Sequence, residues 1–159
     1  MIAGAVETYD ACVAELGGLV VGDATAPRGE GGGFLLLEPR EHAERRGVVP
    51  LARLSAHGEQ RGAPRAEGEA FAAPLDAARA RVVLCAVDDA WDTLLGASAW
   101  ASVPVLDVRT SSGHHEALGG VALAVAVALV AEGACDVLVL SGGATASSVT
   151  RFSAVEPRR

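Results

Sequence analysis

Three cysteines are the residues of this sequence that could supply a thiolate nucleophile, and they are Cys12, Cys85 and Cys135. Cys85 lies inside an apolar run and Cys135 lies between a predicted helix and a predicted strand, settings typical of buried, unreactive thiols. Their spacing fits no zinc motif, and one thiol stays unpaired in any disulfide scheme. This cysteine usage predicts a reducing compartment, the cytoplasm.

A second candidate site is the run of His114, His115 and Glu116. Adjacent histidines on a helix point about 100° apart, so they are poorly placed to bind one metal ion together. The glycine-rich turn that begins at Ser141 lacks the lysine of a phosphate-binding loop. The sequence therefore predicts no metal and no cofactor.

Length, composition and charge predict one globular domain. The chain has 159 residues, of which 50% are hydrophobic, and a formal net charge of -7. An acidic chain with scattered arginines does not form the positive surface that nucleic-acid binding requires. The longest apolar stretch, residues 117–131, is about fifteen residues long, shorter than a membrane crossing needs, so no membrane association is expected.

Residues 29–47 carry the local signals that organise the chain. A glycine cluster precedes the apolar run that starts at Phe34, which predicts a turn and a buried strand. Pro39 predicts a helix start, and Gly47 predicts its left-handed cap. Residues 56–74, rich in glycine, proline and charge, predict a loop. Further strands are predicted at 2–6, 48–54, 82–87, 102–108, 136–140 and 147–152, and helices at 75–81, 90–95 and 117–131, which together predict a layered α/β fold.

The same residues resemble a known family. The run from Gly29 to Gly47 resembles the G-E-G-x-G, L-V-L-E and E-H-A-x-x-R-G run of β-ketoacyl-acyl-carrier-protein synthases, the ketosynthases. Residues 1–7 are similar to the A-G-G-x-E strand that follows that family's catalytic cysteine. The resemblance implies a single truncated domain over 1–159 with a thiolase-like α/β layered fold, roughly the C-terminal half, with a mixed sheet and a buried helix. Residues 1–47 would end the first half, and residues 48–159 would form a shortened second half.

The resemblance also locates the family's catalytic positions. The family's N-A-H-G-T run falls on residues 85–89, which places Val87 where the first catalytic histidine is expected. The K-S-x-x-G-H run falls on residues 109–114, so His114 is retained and Arg109 replaces the lysine. The expected glutamate falls on Leu123, and the nucleophilic cysteine would lie upstream of this sequence. His114 and Arg109 are the candidate remnants of a catalytic site, and His114 fits either a structural role at a helix start or a role in a shared site.

With these catalytic residues lost, the resemblance implies one of three alternative functions. The first is a non-catalytic ketosynthase-like subunit, similar to a chain-length factor, that pairs with a complete ketosynthase in type II polyketide or fatty-acid biosynthesis. The second is the C-terminal half of a split β-ketoacyl-acyl-carrier-protein synthase whose cysteine comes from a complementary N-terminal half. The third is a small scaffold without acyl chemistry. The resemblance implies an acyl carrier protein as a further partner, no enzyme activity for this chain alone, and an exposed apolar seam.

Overall fold

The computed structural model describes residues 1–7, 29–62, 64–65, 68–85, 90–113, 117–142 and 145–156. Cys12, Val87 and His114 lie outside these ranges. The elements in chain order are β1 (Ile2–Glu7), β2 (Gly31–Leu36), α1 (Arg40–Arg45), β3 (Arg53–Arg61), β4 (Ala80–Leu84), α2 (Ala90–Gly96), β5 (Val105–Asp107), α3 (Arg109–Ser112), α4 (Leu118–Ala131), β6 (Asp136–Gly142) and β7 (Ala146–Ser153), with short 3-10 helices at Glu69–Phe71 and Ala77–Arg79.

Five strands form a mixed sheet in the order β3-β7-β6-β4-β5. The three strands β5, β4 and β6 are parallel, whereas β7 pairs antiparallel with both β6 and β3. Parallel strands need helical crossovers, and α2 and α4 provide them. The carboxyl ends of β4, β5 and β6 consequently lie at one edge of the sheet.

Helix α4 lies between this sheet and a second, two-stranded sheet formed by β1 and β2. Its residues are alanine, valine, leucine and glycine on every side, the pattern of a helix that is buried all round. One side of α4 packs on Val83 and Val139 of the large sheet, and Leu35 of β2 packs against the same cluster. The buried helix predicted at 117–131 is therefore present.

The opposite face of the large sheet is covered by α2 and by the segment that follows it. Trp91, Leu95 and Trp100 pack there on β4 and β6, and both tryptophans are fully buried. The described part of the chain thus has four layers: the β1–β2 pair, α4, the five-stranded sheet and α2. No helix within these ranges is both long enough and apolar enough to cross a bilayer.

The loop predicted at 56–74 is wrong in its first part, because β3 continues to Arg61 and pairs along its length with β7. The strand predicted at 48–54 is likewise wrong in position, since residues before Arg53 form no strand. β3 is an edge strand with one solvated face, so its polar and glycine residues resemble a loop in composition although the backbone is bound by cross-strand pairs.

A buried ion pair fixes the segment between β3 and β4. Asp136 is fully buried, and its carboxylate accepts hydrogen bonds from Arg151 (Nε to Oδ1, 3.1 Å) and from Ser153 (2.6 Å). The backbone N–H of Leu75 donates to the same carboxylate at 2.8 Å. Arg151 also donates to the carbonyl of Ala72 at 3.0 Å. Because every one of these bonds joins residues distant in the sequence, no local sequence pattern predicts this pair.

Candidate functional site at the carboxyl edge of the sheet

The carboxyl edge of the parallel strands brings together the residues that sequence motifs placed far apart. Cys85 follows β4, Arg109 follows β5, and Ser141 lies near the end of β6. In open α/β sheets ligands bind at this edge, so it is the candidate site. His114 follows α3 by two residues but lies outside the described residues, so its proximity to Cys85 and Arg109 stays a prediction.

Cys85 is held as a neutral thiol. Its side chain is buried, and its Sγ donates a hydrogen bond to the carbonyl of Leu140 at 3.3 Å. Burial raises the pKa of Cys85 from 9.0 to about 12, which the opposing charge of Arg109 does not offset. Because the thiolate is the nucleophilic form, this raised pKa makes Cys85 a poor nucleophile at neutral pH.

Thiol labelling tests this assignment. At pH 8 the thiolate population of a group with a pKa of about 12 is about 1000-fold lower than that of a group with a pKa of 9.0. We expect Cys85 in the native chain to react with Ellman's reagent slower by that order, and to react at the ordinary rate in 6 M guanidinium, about the concentration that unfolds most domains. The Cys85→Ser variant identifies which labelling phase belongs to this thiol. A fast native phase that disappears in Cys85→Ser would contradict the assignment.

Arg109 is engaged by a neighbour rather than free to act on a substrate. Its guanidinium donates to both carboxylate oxygens of Asp107, at 2.9 Å from Nε and 2.6 Å from Nη2, and its backbone N–H donates to Asp107 Oδ1 at 2.9 Å. The hydrogen bond to Asp107 raises the pKa of Arg109 above its ordinary value. A bidentate pair across two residues fixes the turn from β5 into α3, so Arg109 holds the segment that leads to His114.

Leu123 occupies the position where the family resemblance expects a glutamate. It lies on α4, is half-buried, and packs against the cluster that contains Val83 and Val139. An aliphatic side chain can neither donate nor accept a proton, so this position offers only packing to the site.

The glycine-rich run supports the site through its backbone. A Cβ at Gly29 would overlap the carbonyl oxygen of Ser112, and a Cβ at Gly33 would overlap the carbonyl oxygen of Gly120. Gly29, just before β2, therefore lies directly against α3, and β2 lies directly against α4 at Gly33, closer than a residue with a side chain would allow. Gly29 and Gly33 therefore have a structural role. They let the second sheet approach the segment that carries the candidate site.

A polar cleft opens beside this edge, between the ends of β3, β6 and β7. Its volume is about 530 Å³, and Ser141 and Ser148 meet in its wall with their hydroxyl oxygens 2.6 Å apart. Gln60 Oε1 and Ser147 Oγ, which belong to lining residues, are buried without a hydrogen-bond partner in the described part of the chain. The sequence predicts no site at these serines, because the cleft forms only where β3, distant in sequence, meets β6 and β7.

The described residues support neither a second thiol at this site nor a metal centre. Cys135 precedes β6 and so lies at the opposite edge of the sheet from Cys85, where its Sγ donates to the carbonyl of Asp76 at 3.3 Å. Within those ranges no group of three or more histidine, cysteine or acidic residues is placed to hold a metal ion. The site consists of a neutral thiol, an arginine held by an aspartate and a polar cleft.

This architecture defines a class of fold, a layered α/β protein with a mixed sheet and a buried helix, as predicted from the sequence. No family model matches the sequence, and no curated protein matches it. Among solved structures the chain is similar to one from the AntDE:AntF complex, a type II PKS acyl-carrier protein in complex with its ketosynthase bound to the hexaketide, with a TM-score of 0.74 at 18% identity. The match covers 98% of this chain and 51% of that one, so this chain spans about half the length of the chain it matches. The likeness confirms the predicted fold class.

Proposed function

We propose that this chain is a non-catalytic, thiolase-like ketosynthase relative, similar in role to a chain-length factor, that pairs with a complete ketosynthase in type II polyketide or fatty-acid biosynthesis. Residues 1–47 are the end of a first half and residues 48–159 a shortened second half. An acyl carrier protein is a further partner of the complex, which works in the cytoplasm. The fold shared with a chain of a ketosynthase complex supports the proposal.

The observation that carries the proposal is the state of Cys85, Arg109 and Leu123. Decarboxylating condensation needs a thiolate to hold the acyl chain and positioned groups to handle protons and developing charge. Here the thiol at the site is neutral, the arginine is committed to Asp107, and the position of the expected glutamate is apolar. One positioned acid or base contributes roughly 10²- to 10⁴-fold, so a site that lacks several of them has no useful rate of its own.

A second candidate is the C-terminal half of a split condensing enzyme whose cysteine comes from another chain. It is favoured by residues 109–114, which resemble the family's K-S-x-x-G-H run with Arg109 in place of the lysine, and by the hydrogen bonds of Asp107 to Arg109 at the start of that run. In that enzyme His114 would polarise the thioester of the partner's substrate.

Reconstitution with a complete ketosynthase of a type II system separates the candidates. We expect the two chains to co-purify and the complex to condense acyl groups, whereas this chain alone does not. His114→Ala leaves condensation within about threefold if the chain is a helper, but lowers it at least about 100-fold, with assembly intact, if His114 belongs to a shared site. His42→Ala, at an exposed histidine of α1, is the matched control. A stable, inactive monomer that joins no ketosynthase would contradict both candidates.

A further inference from the structure

We draw no further inference here: the strongest candidate, the polar cleft between the ends of β3, β6 and β7, belongs to the candidate site already described, and the contacts of its lining residues in the described part of the chain identify no class of ligand.

Discussion

Replacing Asp136 with alanine is expected to lower the free energy of unfolding by about 3–5 kcal/mol. The side chain of Asp136 is fully buried, and the guanidinium of Arg151 lies 2.9 Å from its Oδ2 with only 10% of the arginine side chain exposed. Without the carboxylate this cation is left inside the protein with no counter-charge, and the N–H of Leu75 loses its acceptor. Urea unfolding followed by circular dichroism measures the loss.

A graded control and a double variant make this prediction specific. Asp76→Ala removes a carboxylate that only caps the 3-10 helix at Ala77–Arg79, through a 3.0 Å bond from Ala78, so it should cost about 1 kcal/mol. Joint replacement of Asp136 with leucine and Arg151 with methionine should recover much of the stability, because no charge is then left buried. If Asp136→Ala lowers the free energy of unfolding no more than Asp76→Ala does, the ion pair of Asp136 and Arg151 does not stabilise the fold.

The same pair gives the stability of the protein an acid dependence. Burial alone would raise the pKa of Asp136, but hydrogen bonds from Arg151, Ser153 and Leu75 hold it below its ordinary 3.8. A carboxyl group with a lowered pKa in the folded state binds fewer protons there than in the unfolded chain. Its contribution to stability is therefore complete above pH about 4 and is lost as the pH falls through the lower, folded pKa. We expect Asp136→Ala to show a smaller loss of stability on acidification than the unchanged chain.

Replacing Gly33 with alanine is expected to cost about 2–3 kcal/mol of unfolding free energy and to loosen the β1–β2 pair from α4. The added Cβ would overlap the backbone carbonyl oxygen of Gly120, which cannot turn aside as a side chain can. The strand would have to move away from the helix, and Leu35 would lose its packing on the α4 cluster. Urea unfolding gives the stability, and hydrogen exchange in β2 reports the loosening.

Gly119 is the matched control for this change, since it lies beside Gly120 on α4 and a Cβ there would meet nothing within 4 Å. Gly119→Ala should raise stability by up to about 1 kcal/mol, because alanine favours the helix more than glycine does. A Gly33→Ala variant as stable as Gly119→Ala would contradict the close contact between the two layers.

The predictable elements of the fold are those whose signals are local. The strand at Phe34, the helix start at Pro39 and the left-handed cap at Gly47, whose φ is 68°, all lie within one short stretch. The strand is not the predicted buried one, however, because it begins within the glycine cluster where a turn was predicted and leaves Phe34 exposed. The long apolar helix is equally predictable from the sequence, because a helix buried on both sides needs no polar face. The resemblance quoted for residues 29–47 drew on the same stretch, and the fold class it implied is confirmed.

The features that were missed depend on contacts between distant residues. β3 contains His57, Gly58 and Glu59 and resembles a loop in composition, but pairing with β7 makes it a strand. The bonds of Asp136 to Arg151 and Leu75 span 15 and 61 residues, and no motif search connects such positions. Arg109 is predicted from the resemblance as a remnant of catalysis, whereas the structure pairs it with Asp107, two residues away. The role of His114 stays a prediction.

The proposal that this chain is a ketosynthase relative without an acyl group of its own is tested by intact-mass spectrometry. This chain is incubated with acetyl- and malonyl-loaded acyl carrier protein, alone and together with a complete type II ketosynthase. The account predicts an acyl adduct on the ketosynthase and none on this chain in either sample, because Cys85 stays a neutral thiol in its site. An acyl thioester on Cys12, Cys85 or Cys135 would contradict it.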